Sequence, residues 1–416
     1  MSGTSSKKNL LKNTVMLYIL TFSNYLLGFI VVPYQTRVLG DEIYGLLGVA
    51  TSLMVFVQLV IDFGFLLSAT EEVASHRDDK RMLSKIFTSV SVNKLFLTTL
   101  SFIAVFVLCL SVDRWNENRS VILIYFAATA INSFIPDYLY RGIEKMTAIT
   151  VRTVVIKLFF TLMVFVFVKK PEDILLIPIL QAVGNLGALL ASLFDLRRRL
   201  NIGFCRITLH DMFYRLKRSA TFFLSRIATT AYTSANTVVL DLISGGTVTG
   251  YYTSADKLMT TAKNGISPIS DSIYPYMIKH RDFSIIKKML LLLEPVIIAA
   301  CAVMFIWAEP VCVWFFGEGF EGTAVALRAL LPIGVIVLPS YLLGFPALGA
   351  MGLVKHANLS VVYASIFHIV TLAVLFFAGL LNIVTLGIAT SCTEGLILLY
   401  RVVIILKNKH LLKSGK

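Results

Sequence analysis

Charge is scarce in this sequence. Asp, Glu, Lys and Arg make up 15% of the 416 residues against 57% hydrophobic, and the mean hydropathy is +0.79. Such a chain cannot cover a water-facing surface with polar groups, which excludes an ordinary soluble domain. Cysteine is thin too: the five (Cys109, Cys205, Cys301, Cys312 and Cys392) show no CxxC spacing and mostly fall in or beside apolar runs, so they read as small apolar side chains. The six histidines form no HExxH or other paired ligand spacing, so no metal site is expected. GxxxxGK[ST] is missing, which leaves nothing to suggest that this chain hydrolyses ATP, and no cofactor or catalytic group is expected. "GEGFEG" at 317–322 matches GxGxxG in letters only. No strand precedes it, and Glu318 and Glu321 would repel a phosphate, so it reads as an outer loop.

What the chain does have is long apolar segments. A bilayer span needs about 20 mostly apolar residues, and the sequence divides into twelve: roughly 14–33, 43–67, 86–111, 120–139, 151–168, 174–194, 219–243, 249–277, 289–309, 326–349, 358–380 and 383–405. The short connectors leave no room for a separate soluble domain. "SSKKNLLKNTVMLYIL" at the N-terminus has too long an apolar run, and no small-residue cleavage site, for a signal peptide, so it reads as the first permanent span. With the N-terminus inside, most of the 38 Lys and Arg fall in the connectors that become cytoplasmic, which also places the C-terminus inside. The densest, "DLRRRLNIGFCRITLHDMFYRLKRS", separates the first six spans from the last six. The expected organisation is a six-helix lobe over 1–194, a cytoplasmic link over 195–218, and a second six-helix lobe with a basic cytoplasmic tail over 219–416. The net charge of +14 is spread over many connectors, which suits anionic lipid headgroups and not nucleic acid.

The halves carry a trace of repetition. A shift of 205 residues aligns "LGDEIYGLLGVATSLM" (39–54) with "SGGTVTGYYTSADKLM" (244–259), matching Gly40 to Gly245, Gly45 to Gly250, Ala50 to Ala255 and Met54 to Met259. This pairs the first and seventh spans and the second and eighth, as a duplicated transporter requires. The eighth span is the odd one. At about 100° per residue, Tyr252, Asp256, Thr260, Lys263, Ser267, Asp271 and Tyr274 share one face, with Lys257 and Asn264 on its flank. Each charge at bilayer depth costs roughly 2.5–3.5 kcal/mol, so this face must meet water, a ligand or partners. Two readings stand side by side: a hydrated transport cavity, or an interior paired throughout, for instance Asp256 with Lys263 or Lys257. Elsewhere Arg37 follows the first span, Arg226 lies near the inner end of the seventh and Lys94 interrupts the third. Asp62, Asp256, Asp271 and Glu294 are carboxylates placed to couple to an ion. Glu394 and Asp137 could carry a proton or satisfy neighbouring hydroxyls. His368, inside a span, reads as a hydrogen-bonded packing residue. Pro268, Pro275, Pro332, Pro339 and Pro346 are expected to bend their helices.

At these residues the chain resembles a known family. "VVPYQTRVLGDEIYGLLG", "DFGF", "VASHRDDKRMLSKIF", "FFLSRIATTAYTSANTVVLDLISGGTVTGYYTSADKLM" and "SPISDSIYPYM" resemble the Wzx-type polysaccharide flippases of the multidrug/oligosaccharidyl-lipid/polysaccharide exporter superfamily. The resemblance covers essentially the whole chain. It implies an all-α polytopic membrane protein with twelve transmembrane helices in two six-helix lobes around a central, cation-lined cavity, working by alternating access in the bacterial inner membrane. Implied cargo is an undecaprenyl-pyrophosphate-linked glycan, the O-antigen repeat unit, moved from the cytoplasmic to the periplasmic leaflet. A polysaccharide polymerase and chain-length machinery are implied partners. Carried over residue by residue, Arg37, Arg226, Lys257 and Lys263 become the expected cavity cations, with Tyr252, Asn264 and Tyr274 as polar or aromatic lining. Two other classes remain in view. An organic-cation exporter of the same superfamily would want a carboxylate-dominated cavity. A membrane polymerase or ligase would want a large periplasmic loop with catalytic residues, which the short outer connectors do not supply.

Overall fold

The computed structural model describes residues 2–412, and among them no strand occurs. The last residues of the expected basic tail, 413–416, lie outside the described residues. In chain order the α-helices are α1 Ser2–Asp62, α2 Phe65–Ser75, α3 Lys80–Ser111, α4 Asp113–Glu117, α5 Arg119–Ser133, α6 Asp137–Gly142, α7 Met146–Phe167, α8 Leu176–Asp195, α9 Leu209–Ser244, α10 Gly246–His280, α11 Ser284–Ile306, α12 Ala308–Phe316, α13 Thr323–Leu342, α14 Val354–Phe377 and α15 Ile383–Lys407. The fold is all-α, as expected. Nine helical stretches among the described residues are long and apolar enough to cross a bilayer, which makes this a polytopic membrane protein. Leu26–Ser75 takes in the last part of the first expected span and the whole of the second. The expected seventh and eighth, α9 and α10, are 36 and 35 residues long but are not among the nine. Their length suffices; their polar faces lower the hydropathy.

Local signals explain several ends. Asp79 accepts from the Met82 amide at 2.9 Å and caps α3. Asn382 accepts from the amides of Val384 and Thr385 and starts α15. Thr208 and Asp211 cap α9 reciprocally: the Thr208 amide and hydroxyl donate to Asp211 Oδ2 at 3.0 and 2.9 Å, and the Asp211 amide donates to Thr208 Oγ1 at 3.2 Å. Those two donors hold the Asp211 carboxyl below the usual carboxylate range, the backbone amide first. The segment expected to be a connector therefore already carries the start of a helix. Pro268 does not interrupt α10, whereas Pro346 lies in a π-helical turn, Leu343–Leu348, where Gly344 leaves helical geometry at ψ −115°.

The chain forms two compact units, Met1–Leu39 with Ala50–Ile227 and Gly40–Val49 with Ala228–Lys416. In the first, α2 packs against α6, and Phe65, Ala69, Val73, Leu83, Ile86 and Tyr138 form its core. Gly64 begins α2 in the left-handed region (φ 80°), and a Cβ there would sit 2.7 Å from the Ser219 carbonyl oxygen of α9. Next to this approach Ser68 and Ser219 share a 2.6 Å hydrogen bond, and Arg215 forks onto Glu72, with both side chains buried. In the second unit α13 packs against α10, α11 and α15.

The repeat reappears in backbone geometry. Gly40 and Gly245 adopt the same glycine-favoured conformation, φ 76° and ψ 173° against φ 78° and ψ −178°. Within the second unit, a Cβ on Gly45 would come 2.0 Å from the Gly246 carbonyl oxygen, and one on Gly250 would come 2.1 Å from the Asp41 carbonyl oxygen. Under the 205-residue shift these two contacts are each other's image. Only glycine lets both backbones approach so closely.

Candidate functional site

The four expected cations divide evenly, Arg37 and Arg226 in the first unit and Lys257 and Lys263 in the second. Arg37 is exposed on α1, one turn before the break at Gly40, and Arg226 is half-buried on α9. Lys257 is exposed on α10 and forms no ion pair among the described residues. Lys263, one side of α10 further on, has 22% of its side chain exposed and donates to Glu394 Oε1 of α15, whose side chain is only 6% exposed. The sequence offered Asp256 as a partner for Lys263; the structure gives it a carboxylate 131 residues away. Asp256 is half-buried and Asp271 exposed. Asn264 is half-buried, as is Tyr274, whose ring lies over Gly349 with an edge toward Phe345 at 6.2 Å. Tyr252 is 1% exposed and accepts from Asn236 Nδ2 at 2.8 Å, inside the unit. The polar face of α10 is thus used in two ways, with Lys257 and Asp271 outward and Tyr252 and Lys263 engaged by neighbouring helices.

Among the ion-coupling candidates, Asp62 closes α1 in a buried cluster. Lys94 Nζ donates to Asp62 Oδ1 at 2.8 Å and to the Ser133 carbonyl oxygen, and Gln58 Nε2 donates to Asp62 Oδ2 at 2.7 Å. A carboxylate so held already has its counter-charge. Glu294 on α11 has one buried oxygen, Oε2, with no hydrogen-bond partner among the described residues. No group of three or more His, Cys, Asp or Glu among the described residues is arranged to hold a metal ion.

Two arginines escaped sequence reasoning. Arg401 on α15, 6% exposed, donates to the Ser340 carbonyl and hydroxyl oxygens and to Ser360 Oγ. Arg152 on α7 pairs with Asp137 and donates to Ser192 Oγ at 2.7 Å. His368, expected as a hydrogen-bonded packing residue, is indeed hydrogen-bonded, to α9 and α15 at once. Both arginines lie in mostly apolar stretches, and a charge in such a run is the signal that could have marked them.

Chemically, an exposed ammonium on a polar helix, beside a second ammonium balanced by one carboxylate, can receive an anion.

Comparison with known proteins follows the same line. A family model described as "Polysaccharide biosynthesis protein" matches residues 10–280. The chain is 26% identical over 346 residues to a "Putative O-antigen transporter" of Escherichia coli (strain K12), covering 82% of this chain and 83% of that one. It is 28% identical over 270 residues to a protein of the same name from Shigella dysenteriae, covering 64% and 67%. Among solved structures it is similar to the lipid II flippase MurJ in an inward closed conformation, with a TM-score of 0.73 at 15% identity over 95% of this chain and 87% of that one. It also resembles an inward-facing multidrug resistance MATE family transporter, with a TM-score of 0.64 at 14% identity over 97% and 100%. At these identities the structural likeness speaks to the fold alone.

Proposed function

The chain belongs to the polysaccharide biosynthesis protein family, and from that premise we propose that it flips undecaprenyl-pyrophosphate-linked oligosaccharide repeat units from the cytoplasmic to the periplasmic leaflet by alternating access. It does so in the bacterial inner membrane, with both termini in the cytoplasm, delivering cargo to a polysaccharide polymerase and its chain-length machinery. The physical problem is that sugar hydroxyls and a pyrophosphate would enter hydrocarbon unsatisfied. A polar passage removes that barrier while the polyprenyl tail stays in lipid. Arg37 and Arg226 clasp phosphate oxygens through their planar forks, and Lys257 and Lys263 act as movable point charges. Tyr274 and Asn264 meet the sugar. Moving a headgroup of charge near −2 outward against an interior-negative potential gains roughly 4–5 kcal/mol per 100 mV, so ATP is not required.

The observation that carries the reading is α10: a span-length helix that keeps Lys257 exposed and Lys263 on a single carboxylate, in a chain whose relatives are named O-antigen transporters. The test is reconstitution of the full chain in liposomes. Lipid-linked oligosaccharide is expected to change leaflet. Movement of amphiphilic cations alone would support an exporter, and cleavage or transfer of the glycan would support an enzyme; either result overturns the proposal.

A further inference from the structure

His368 on α14 is fully buried in the second unit. Its Nε2 lies 2.8 Å from Asn236 Oδ1 on α9, and its Nδ1 lies 2.8 Å from Thr393 Oγ1 on α15. The neighbours fix which atom donates. The Thr390 hydroxyl donates to the Leu386 carbonyl oxygen at 2.8 Å, so toward Asn236 it can only accept, and Asn236 Nδ2 donates to it at 2.9 Å. The second amide hydrogen of Asn236 goes to Tyr252 Oη at 2.8 Å. Asn236 therefore turns its oxygen, a pure acceptor, to His368, and Nε2 must carry a hydrogen. On the other side the Thr393 hydroxyl lies 2.8 Å from both the Ala389 carbonyl oxygen and Nδ1, and it can donate to either. With the hydroxyl on Ala389, Nδ1 carries a hydrogen as well; with the hydroxyl turned to Nδ1, it carries none. A neutral imidazole has one N–H, and only the imidazolium has two.

We propose that His368 is a proton-binding site of this protein, whose fixed partner Asn236 and rotatable partner Thr393 satisfy both the charged and the neutral imidazole. The proton leaves Nδ1 for water. The Thr393 hydroxyl then turns from the Ala389 carbonyl to donate to Nδ1, while Nε2–H and the Asn236 contacts stay as they are. No other atom changes hands.

The surrounding charges are arranged for this exchange. From α15, Glu394 follows Thr393 directly, is close enough to act on the imidazole by its charge and is 5% exposed. It is shared with Lys263 of α10, and Arg401 lies further along α15. α9 presents the Tyr232 ring edge at 6.2 Å. α10 presents Tyr252, with Asp256 beyond it, and Tyr341 of α13 faces Tyr232. Glu394 thus sits between a permanent cation and a switchable one. When His368 loses its proton, Lys263 holds Glu394 alone, which changes how firmly the α10 ammonium is bound and how open it is to an anion. Proton loading is thereby tied to the cargo site, a consequence that rests on the flippase reading; the proton site itself does not.

Two measurements test this. First, the full-length protein, labelled with ¹⁵N-histidine in lipid nanodiscs, is titrated from about pH 5 to 8, the range in which histidine charge changes. The His368 signal, identified by its loss in His368→Gln, is expected to pass from two N–H groups to one, and Thr393→Val is expected to shift that transition. A His368 signal that keeps one N–H throughout, or two throughout, overturns the site. Should His368→Gln fail to fold, the parent and Thr393→Val titrations still decide. Second, in proteoliposomes with lipid-linked oligosaccharide, an imposed pH gradient is expected to shift transfer by up to about tenfold per pH unit for one coupled proton, and to leave His368→Gln unaffected. A parent that transfers cargo identically with and without the gradient overturns the coupling. A parent that transfers none overturns the flippase reading instead, while the titration continues to decide the proton site.

Discussion

Replacing Arg215 with Met should destabilise the protein more than replacing Arg215 and Glu72 together. The pair is sealed, with side chains 4% and 5% exposed. Arg215 Nη2 and Nε reach Glu72 Oε1 and Oε2 at 2.8 and 3.2 Å, and Nη1 donates to Ser89 Oγ at 3.1 Å and to the Asp211 carbonyl oxygen at 3.2 Å. Taking away the guanidinium leaves a carboxylate buried without a counter-charge, which costs about 3–5 kcal/mol. That is roughly two to four orders of magnitude in the folded-to-unfolded ratio. Ser89 and the Asp211 carbonyl lose their donor as well. Glu72→Met strands the guanidinium and belongs in the same range. In the double variant no charge is stranded, and apolar groups of similar volume replace the pair at little cost. Arg215→Lys keeps the charge but loses the fork, so it should fall between parent and Arg215→Met. The assay is the thermal midpoint of the full-length protein in nanodiscs for the four members of the cycle. If the double variant loses the sum of the two single losses, Arg215 and Glu72 act independently and the reasoning fails.

Other consequences are as concrete. Gly45→Ala or Gly250→Ala should cost about 1–3 kcal/mol, because each new Cβ meets a carbonyl oxygen near 2 Å. Gly187→Ala, which meets nothing within 4 Å, should be neutral or slightly stabilising by the same melting assay. Lys257→Ala should leave the melting point unchanged, since no ion pair among the described residues is lost, while slowing leaflet transfer. Lys263→Ala strands Glu394 and should lower both; equal melting losses for the two would contradict the placement. Asp211→Ala should remove about 1 kcal/mol of capping from α9. Because the folded Asp211 carboxyl lies below its unfolded value, its contribution is present above about pH 4 and is lost as pH falls through the folded value. Amide exchange over residues 209–212 should accelerate on acidification in the parent and stay fast in Asp211→Ala.

How far these features could be read from the sequence depended on the range of the signal. Hydropathy over one helix suffices to mark α3, α7 and α14 as span-length apolar helices. The match of Gly40 to Gly245 was visible as letters and returns as equal backbone angles, since a positive φ is a local demand on a local residue. Thr208 and Asp211 spell a capping box inside the supposed connector, and that pattern could have moved the start of α9 back to Leu209. Partner choice was not legible. A wheel shows that Asp256 and Lys263 share a face, but it cannot show that α15 brings Glu394 nearer, or that Glu72 awaits Arg215 across 143 residues. His368 illustrates the limit best. Its role depends on how Asn236, Thr390 and Thr393 spend their hydrogens, and those three lie on two other helices.

The central proposal is that cationic side chains, Arg226 and Lys263 among them, receive an anionic headgroup. It is tested most directly by leaflet transfer of lipid-linked oligosaccharide in liposomes by the parent, Arg226→Ala and Lys263→Ala, at matched protein density and membrane potential. The account predicts that transfer by the parent is fast and that each variant slows it. Undiminished transfer by both variants would contradict it.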